Sequence, residues 1–307
     1  MVVIASQYFL HITTKEFLKM ILIDYSQVAL SAILTFQREL KGTESEVKNL
    51  IRHVTLSTIK SYKKKYGREY GELIIACDGR KYWRKEIFEH YKASRKKMRD
   101  SSDLDWKLIF DTLSEMRDDL AKHFPYRVIH LERAEADDII AVMTEWCQDN
   151  DLVKEGLVEE PQQVLVLSSD KDFKQLQLAP FSNGNVRQWS PMQKKFITAS
   201  TQEITDFTIE HIVKGDTGDG IPNILSSDDV FVKGERQKPV SAKRLAEFIE
   251  KGKGACRNDE ERRNWDRNAK LVAFDNIPRD VKNQIVLSYL NTKPTGDKMT
   301  KIGRAHV

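Results

Sequence analysis

Three carboxylates lie within four positions of one another, at Glu135, Asp137 and Asp138. The segment before them is apolar as far as Leu131, and the segment after them, from Ile139, has helical spacing. Because like charges this close repel one another, each carboxylate makes its neighbours harder to ionise unless a cation lies among them. Carboxylate oxygens are the ligands that hard divalent cations prefer, so this stretch predicts a metal site.

Acidic residues also follow apolar runs elsewhere in the chain. Asp24, Asp78 and Asp170 each end such a run, and Asp172 comes two residues after the last of them. One aspartate in this position would indicate little, since aspartate is a common N-cap of helices. Four apolar runs that each lead to an acid, including the run before Glu135, instead favour one shared site.

The apolar runs alternate with segments whose apolar residues recur at helical spacing, such as 28–36 and 45–66. This alternation predicts an α/β fold with a mainly parallel central sheet flanked by helices. In such a sheet the carboxyl ends of the strands meet at one edge, so the acids are expected to lie together there. The stretch 185–198, with a turn at Ser190-Pro191, predicts an edge hairpin that closes the sheet.

The composition changes near residue 200, after which helical segments dominate. For a chain of 307 residues we therefore expect a catalytic domain over 1–200 and a smaller helical domain over 201–301. The loop 214–222 lies between helices of the second domain and contains glycines, so its backbone amides could contact phosphates. A plain connection between two helices would look similar.

The overall charge excludes little, because 50 Lys and Arg nearly balance 46 Asp and Glu. Cys77, Cys147 and Cys256 have no paired spacing, which fits a reducing cytosol better than a disulfide framework or a zinc site. The residues before Met20 have no basic leader, and charged residues interrupt them, so no signal peptide or membrane span is expected. Met20 directly precedes a strand and is an alternative start.

One stretch, 80–99, is strongly basic: it holds nine Lys or Arg and two Glu, with four aromatic residues between them. Cations bind backbone phosphates and aromatic rings stack on unpaired bases, so this pattern predicts contact with single-stranded or branched nucleic acid. A charge run is more often only a solvated helix face, but the position directly after Asp78 favours a functional one.

The acids as a set indicate which ion and which reaction to expect. They come with no pattern of histidine or cysteine, and they are Asp24, Asp78, Glu135, Asp137, Asp138, Asp170, Asp172, Asp216 and Asp219. Oxygen ligands favour Mg²⁺ or Mn²⁺, and this many suffice for two ions, an arrangement suited to phosphodiester hydrolysis. Calcium storage is disfavoured because the acids come from five distant segments. The sequence leaves open which acid contacts which ion.

Several motifs together resemble the structure-specific 5′ nucleases, a family that includes flap endonucleases and the 5′ nuclease domains of bacterial DNA polymerases. The matching residues, in family order, are Leu22-Ile-Asp24-Tyr-Ser26, Asp78, Tyr82-Trp83-Arg84, Tyr91-Lys92 with Arg95, Glu135-Ala-Asp-Asp138, Ser168-Ser-Asp170-Lys-Asp172-Phe173, Gln188-Trp-Ser-Pro-Met192 and Lys214-Gly-Asp216 with Asp219. They run from about residue 20 to 290, and the stretch Gln188–Met192 is similar to the phage branch of the family.

The resemblance implies a PIN-like nuclease core, a basic arch at 80–105 and a helix-three-turn-helix at 214–222. It further implies a Mg²⁺-dependent 5′ to 3′ exonuclease and flap endonuclease with ribonuclease H activity. Such an enzyme removes RNA primers and adjacent DNA during phage replication with two metal ions, for which Mn²⁺ would substitute. Lys92 and Arg95, at the base of the arch, would hold the scissile phosphate.

The resemblance also assigns the acids and the nucleic-acid contacts. The first metal region would comprise Asp24, Asp78, Asp137, Asp138 and Asp170, and the second Glu135, Asp172, Asp216 and Asp219. All of these except Asp216 would count as catalytic, together with Lys92 and Arg95. The residues implied to contact nucleic acid are Arg80, Tyr82, Trp83, Arg84, Lys92, Arg95, Lys96, Lys97, Lys214, Gly215, Gly218 and Gly220.

The implied substrates are DNA, RNA–DNA hybrids and 5′ flaps or forks, and the implied protein partners are a single-stranded-DNA-binding protein and a sliding clamp. The enzyme would act as a monomer in the cytoplasm of an infected bacterium, without a membrane. Two other functions stay open: a toxin-type RNase with a similar acidic site, and a DNA-junction binder without catalysis, although no expected acid is replaced.

Two stretches depart from the family pattern. The polar insertion 226–240 lacks the compact glycine pattern of cellular relatives. The last six residues, 302–307, match one reading frame of a common sequencing adapter, so we expect a non-native tail there.

Overall fold

The computed structural model of the protein describes residues 19–148 and 162–294. Within these residues the chain forms two compact units, each built from separate segments. The first unit comprises 19–80, 104–148, 162–198 and 279–294, and the second comprises 81–103 and 199–278. The domain bounds expected at 1–200 and 201–301 remain a prediction. They describe two continuous segments, whereas each compact unit combines separate segments. The expected non-native tail lies outside the described residues.

The first unit is built on a six-stranded sheet with the order β3-β2-β1-β4-β5-β6. Its strands are β1 (Met20–Asp24), β2 (Glu72–Cys77), β3 (Arg127–His130), β4 (Val164–Leu167), β5 (Val186–Ser190) and β6 (Lys195–Ile197). Neighbouring strands from β3 to β5 pair in parallel, and β6 runs antiparallel to β5. This arrangement confirms the predicted α/β fold. The order reverses between β1 and β4, where parallel sheets commonly form their sites.

The central strands are buried on both faces, as a parallel sheet covered by helices requires. Every residue from Val164 to Leu167 has no exposed surface, and the same holds for Met20 to Ile23. Their continuous apolar sequence therefore follows from the position of these strands in the sheet. Asp24, directly after this apolar run, pairs in register with Ala76 near the end of β2.

Helices fill the connections between the strands and form the second unit. In chain order they are α1 (Tyr25–Ile33), α2 (Glu44–Tyr70), α3 (Trp83–Ile87), α4 (Ser94–Asp100), α5 (Trp106–His123), α6 (Ala136–Cys147), α7 (Thr201–Lys214), α8 (Ala242–Lys251), α9 (Asp259–Val272) and α10 (Arg279–Asn291). Short 3₁₀ segments are Leu34–Phe36, Glu39–Lys41, Lys171–Gln177, Gly252–Ala255 and Phe274–Asn276. Within the described part of the chain, no helix is both long enough and apolar enough to cross a membrane.

The long helix α2 has clear signals at both ends. Glu46 Oε2 accepts a hydrogen bond from Thr43 N at 2.8 Å, as part of a capping box that satisfies free amides of the first turn. The helix stops at Gly71, whose φ of 73° is a conformation that glycine adopts without strain. The predicted helical stretch 45–66 therefore lies within a helix that is slightly longer at both ends.

The predicted edge hairpin is present as β5 and β6, and aromatic side chains hold it against α2. The ring centroids of Trp189 and Phe196 lie 5.0 Å apart, and each ring packs against Tyr66, at 5.9 and 6.4 Å. Such aromatic contacts add to the apolar area that the hairpin buries.

Helix α10 joins the first unit although it comes last in the described chain. Its Tyr289 packs on Trp146 of α6 with ring centroids 5.2 Å apart, and Lys282 Nζ lies 2.7 Å from Glu145 Oε2. Arg127 of β3 donates to the carbonyl oxygen of Tyr289 and forms an ion pair with Glu72 at 3.0 Å. These contacts seal one face of α6.

The second unit is helical and has its own apolar core. Phe248 is fully buried and stacks on Trp265, with ring centroids 5.6 Å apart. A buried amide, Asn268 Nδ2, donates to the carbonyl oxygens of Ile212 and Pro222 at 2.8 Å each. Helix α9 thereby holds both ends of the loop 214–222, which the sequence placed between helices.

Candidate active site

Asp24 lies at the carboxyl end of β1 and is 6% exposed. Its Oδ1 accepts a hydrogen bond from Gln27 N at 3.1 Å, so it caps α1. Its Oδ2 accepts a second hydrogen bond from Ser168 Oγ at 3.2 Å, which links it to the segment after β4. The N-cap interpretation of Asp24 is therefore confirmed, and its role in a metal site stays a prediction.

The turn after β4 carries Asp170 and Asp172. Ser168 Oγ accepts a hydrogen bond from Asp170 N at 3.1 Å, and Asp170 Oδ1 accepts one from Asp172 N at 2.9 Å. The Ser168 hydroxyl therefore donates a hydrogen bond to Asp24 and accepts one from the main-chain N–H of Asp170. The two aspartates from β1 and from the turn are held next to each other by one hydroxyl.

Asp78 connects the end of β2 to the start of α6. Its Oδ1 accepts a hydrogen bond from Ala136 N at 3.0 Å, and Gly79 N donates to the carbonyl oxygen of Ala134 at 2.8 Å. The acidic cluster from Glu135 to Asp138 is thus anchored to Asp78, which directly follows β2. Aspartate next to the free amides of a helix N-terminus is also favoured electrostatically.

Within that cluster the three acids have different surroundings. Asp138 Oδ2 accepts a hydrogen bond from Glu135 N at 2.9 Å, and the two residues form a reciprocal capping box at the start of α6. Glu135 and Asp138 are 1% and 0% exposed, whereas Asp137 is half-buried. The cluster therefore brings two buried carboxylates and one more accessible carboxylate to the same helix terminus.

The electrostatics of Asp24 show that these acids form one cluster. Burial, together with the charges of Asp78 and Asp170, raises the pKa of Asp24 to about 7, against the hydrogen bonds from Gln27 and Ser168, which lower it. Two carboxylates, from β2 and from the turn after β4, thus oppose the ionisation of Asp24 at the end of β1. An all-oxygen donor set of this kind fits Mg²⁺ or Mn²⁺, since a divalent cation offsets the repulsion.

The second unit holds the two remaining predicted acids. Asp216 Oδ1 accepts hydrogen bonds from Gly218 N at 2.7 Å and from Asp219 N at 3.2 Å, which fixes the glycine loop. Its Oδ2 lies 3.1 Å from Nε2 of His211, a residue that is 5% exposed. Sequence reasoning missed His211, and the only available signal was its position in the last turn of α7, five residues before Asp216.

The loop 214–222 and the basic segment around Lys92 meet at Asp219, inside the second unit. Asp219 Oδ2 accepts a hydrogen bond from Tyr91 OH at 2.9 Å and lies 3.7 Å from Lys92 Nζ, while Oδ1 pairs with Arg95. The carbonyl oxygen of Asp219 accepts from Lys92 N at 2.7 Å. Lys92 has a φ of 60°, a strained conformation for a side-chain-bearing residue that persists only where its surroundings hold it.

Glycine is required at two positions of this loop. Gly215 has a φ of 66°, and a Cβ there would lie 2.2 Å from the carbonyl oxygen of Ile221. Gly220 has a φ of 69°, and a Cβ there would lie 3.2 Å from the carbonyl oxygen of His90. Gly218 is exposed, and Lys214 forms an ion pair with Glu210.

Two predicted nucleic-acid contacts are buried in the second unit. Trp83 and Arg84 are 1% and 3% exposed, and Arg84 Nε donates to the carbonyl oxygen of Leu271 at 2.9 Å. Direct contact of these two side chains with nucleic acid does not fit their burial. They instead hold the basic segment against α9, a role that no local sequence signal reveals because the partner lies 187 residues away.

Other predicted contacts are more accessible. Tyr82 packs edge-on against Tyr91 at 6.2 Å, and Lys92 Nζ lies 5.3 Å from the Tyr82 ring centroid. Arg80, in the first unit, is exposed. The side chains of Lys96 and Lys97 lie outside the described part of the structure.

The predicted acids are thus divided between the units. The first unit contains Asp24, Asp78, Glu135, Asp137, Asp138, Asp170 and Asp172, and the second contains Asp216 and Asp219 with Lys92 and Arg95. Within the first unit the acids gather at the carboxyl edge of the sheet, and within the second they lie in the glycine loop.

The chain has relatives of known function. A family model described as the 5′-3′ exonuclease, N-terminal resolvase-like domain, matches residues 19–206. Ribonuclease H of Enterobacteria phage T4 is 33% identical over 282 residues, which make up 89% of this chain and 86% of that protein. The flap endonuclease Xni of Shewanella piezotolerans is 27% identical over 150 residues, which make up 46% of this chain and 49% of that protein.

A solved structure has the same fold. It is the flap endonuclease of bacteriophage T5 in a pseudo-enzyme-product complex with DNA and metal ions, and it superposes with a TM-score of 0.59 over 89% of this chain and 98% of that one. The sequence identity is 17%, so this likeness concerns the fold alone. The family match over residues 19–206 and the similarity to the phage ribonuclease H show that the chain belongs to the 5′-3′ exonuclease and flap endonuclease family, and it is thus a 5′ nuclease, a phosphodiester hydrolase.

Proposed function

We propose that this chain is a Mg²⁺-dependent 5′ to 3′ exonuclease and flap endonuclease with ribonuclease H activity. In this proposal it removes RNA primers and adjacent DNA during phage DNA replication. The observation that carries the proposal is that Asp24 is buried at the switch point of the sheet, where the charges of Asp78 and Asp170 both act on it. The similarity over most of the chain to the phage T4 ribonuclease H supports the choice of substrate.

The proposal assigns the acids to two metal ions. A first region would use Asp24, Asp78, Asp137, Asp138 and Asp170, and a second would use Glu135, Asp172, Asp216 and Asp219. The chemistry that divalent cations supply in such sites is a lowered pKa of an attacking water and stabilisation of the charge on the leaving oxygen. Mn²⁺ would substitute, because it accepts the same oxygen ligands.

The chain's own side chains prepare the site for an anionic substrate. The Ser168 hydroxyl and the main-chain N–H of Gln27 hold Asp24 in one orientation through hydrogen bonds to its two oxygens. Asp24 therefore needs little reorganisation when negative charge develops in the transition state. Lys92 and Arg95 supply positive charge for the scissile phosphate, and the guanidinium of Arg95 can donate two parallel hydrogen bonds to it. The remaining basic residues of the arch at 80–105 would gather the flap strand.

The proposed substrates are DNA, RNA–DNA hybrids and 5′ flaps or forks, and the proposed partners are a single-stranded-DNA-binding protein and a sliding clamp. The T5 flap endonuclease was solved with DNA and metal ions, which supports the nucleic-acid part of this proposal. We further propose that the enzyme acts as a monomer in the cytoplasm of an infected bacterium; the similarity to a phage protein supports the bacterial host.

One assay tests the reaction directly. The purified protein is incubated with a 5′-labelled RNA–DNA hybrid and, separately, with a labelled 5′ flap, with Mg²⁺ or with EDTA. Short 5′-phosphorylated products are expected only with Mg²⁺. Binding of both substrates without any cleavage would refute the enzyme and favour a DNA-junction binder.

A further inference from the structure

Gln188 of β5 is buried, at 2% exposure, and its side-chain amide reaches the turn that carries the acids after β4. Its Nε2 donates to the carbonyl oxygen of Ser168 at 3.0 Å and to that of Asp170 at 2.6 Å. Both N–H groups of the amide therefore donate to main-chain carbonyl oxygens, and the two residues that accept lie on either side of Ser169. This geometry fixes the path of the backbone between the two carbonyl groups.

The same turn has a second attachment to β5. Ser190 Oγ donates to Ser169 Oγ at 2.9 Å, and Met192 N donates to the same oxygen at 3.1 Å. Side chains two residues apart on a strand point to the same face of the sheet, so Gln188 and Ser190 reach the turn side by side. On the other side Gln27 Oε1 accepts from Ser169 N at 3.2 Å.

The turn held in this way places carboxylates where they repel one another. Ser168 bonds Asp24, and Asp170 follows two residues later, so a shift of this backbone would separate the acids. Without a fixed backbone, side chains of like charge would move apart in the absence of a cation. The hydrogen bonds from Gln188 resist that movement.

Gln188 also carries a feature that does not favour stability. Its Oε1 is buried and has no hydrogen-bond partner among the described residues. A buried acceptor left unpaired is unfavourable, and an apolar side chain of similar length would fill the space without it. The two hydrogen bonds that Gln188 donates to the turn 168–170, and not packing, therefore account for an amide side chain at this position.

We propose that Gln188 is a positioning residue for metal binding: its amide holds the turn 168–170 so that Asp170 stays beside Asp24 in the geometry a divalent cation requires. The inference rests on the proposed function, because it concerns the same site. Outer residues that orient ligands typically change metal affinity by about tenfold to a hundredfold when they are replaced.

The test compares Gln188→Met with the wild type and with a matched control, Gln148→Met. Gln148 is also 2% exposed and its amide also donates to a main-chain carbonyl, that of Gln162 at 2.5 Å, but it contacts none of the acids above. Free Mn²⁺ is counted by electron paramagnetic resonance during titration of the metal-free protein, and the melting temperature is measured in EDTA.

Gln188→Met is expected to bind Mn²⁺ about tenfold or more weakly, while its melting temperature in EDTA stays within about 5 °C of the wild type. Cleavage by this variant should recover to near the wild-type rate when Mn²⁺ is saturating, because the ligands themselves are intact. Gln148→Met should keep the wild-type Mn²⁺ affinity. If Gln188→Met fails to fold, Gln188→Asn, which keeps the amide but shortens its reach, should show the same loss of affinity.

Equal Mn²⁺ affinity of the folded Gln188 variant and the wild type would overturn the role of Gln188. A loss of cleavage that saturating Mn²⁺ does not restore would overturn it as well, because it would indicate a general distortion. If the wild-type protein binds Mn²⁺ but cleaves neither substrate, the proposed function fails, while the comparison of affinities still decides on Gln188.

Discussion

The hydroxyl group of Tyr91 donates a hydrogen bond to Oδ2 of Asp219, 2.9 Å away, inside the second unit. The same carboxylate pairs with Arg95, so Tyr91 helps to hold the base of the arch on the glycine loop. Tyr91→Phe removes one hydrogen bond to a charged group, and we expect the free energy of unfolding to fall by about 1.5–3 kcal/mol. Thermal unfolding measures this change.

Tyr126→Phe is the control for that variant. Tyr126 is half-buried in the first unit, so this substitution removes the same hydroxyl from a residue outside the second unit. An equal loss of stability in both variants would show that the Tyr91 hydroxyl contributes nothing specific to the arch.

Lys92 lies within 3.7 Å of Asp219 and is held in an unusual backbone conformation. If Lys92 acts on the scissile phosphate, Lys92→Ala should lower the single-turnover cleavage rate by about a hundredfold or more and affect substrate binding much less. Lys233→Ala, which removes an exposed lysine paired with Asp229 in the same unit, should change neither quantity. A loss confined to affinity would make Lys92 a tether for the strand.

The pKa of Asp24 predicts how the metal-free protein responds to pH. Its value of about 7 in the folded state lies above the ordinary 3.8, so between these limits the folded protein keeps a proton that the unfolded chain has lost. The contribution of Asp24 to the free energy of unfolding is therefore fully present below about pH 4, falls by up to about 4 kcal/mol as pH rises to about 7, and then levels off.

Chemical unfolding in EDTA at about pH 5 and at about pH 8 measures that fall. Asp24→Asn should show a smaller difference between the two conditions, because its amide does not titrate. Mg²⁺ added at the higher pH should restore stability to the wild-type protein. A wild-type difference that persists unchanged in Asp24→Asn would assign the pH dependence to other groups.

Asp170→Asn should separate stability from function. The amide cannot supply the charged ligand that a divalent cation needs, so cleavage should fall by about a thousandfold while nucleic-acid binding remains. Because Asp170 raises the pKa of Asp24, the metal-free variant should melt a few degrees higher than the wild type. Asp111→Asn, at an exposed position on α5, should change neither property, and wild-type turnover by Asp170→Asn would remove Asp170 from the site.

Gly79 has no room for a side chain beside Asp78. A Cβ there would lie 2.0 Å from the carbonyl oxygen of Leu131 and 2.5 Å from that of Glu132. Gly79→Ala should therefore destabilise the protein by about 2 kcal/mol or more and displace Asp78, which lowers activity as well. Gly254→Ala is the control, because no atom lies within 4 Å of its added Cβ, and its melting temperature should stay near that of the wild type.

Much of the first unit could be predicted because its signals are local. Buried parallel strands such as β4 are continuous apolar runs, and the acid after each run marks the carboxyl edge of the sheet. The hairpin at Ser190 follows from its turn at Ser190-Pro191. These patterns depend on neighbours in sequence, so the sequence alone predicts that the acids of the first unit lie at one edge of the sheet.

Most of the features that were missed depend on partners distant in sequence, whereas the partner of His211 is only five residues away. The burial of Arg84 follows from a carbonyl group on α9, and the position of His211 beside Asp216 follows from how α7 ends. The role of Gln188 follows from strand pairing that brings β5 next to β4. Side-chain contacts of this kind are set by tertiary packing, so no periodicity in the sequence reports them.

The discontinuity of the first unit has a consequence for how the protein is made. All six strands have been synthesised by Ile197, but α10, which covers Trp146 of α6, follows only after residues 199–278 of the second unit. While the ribosome makes that segment, the apolar surface around Trp146 is uncovered, a condition under which nascent chains aggregate or recruit chaperones. A fragment that ends before Arg279 would retain the acids of the sheet edge but would lack α10, so the apolar surface around Trp146 would stay exposed.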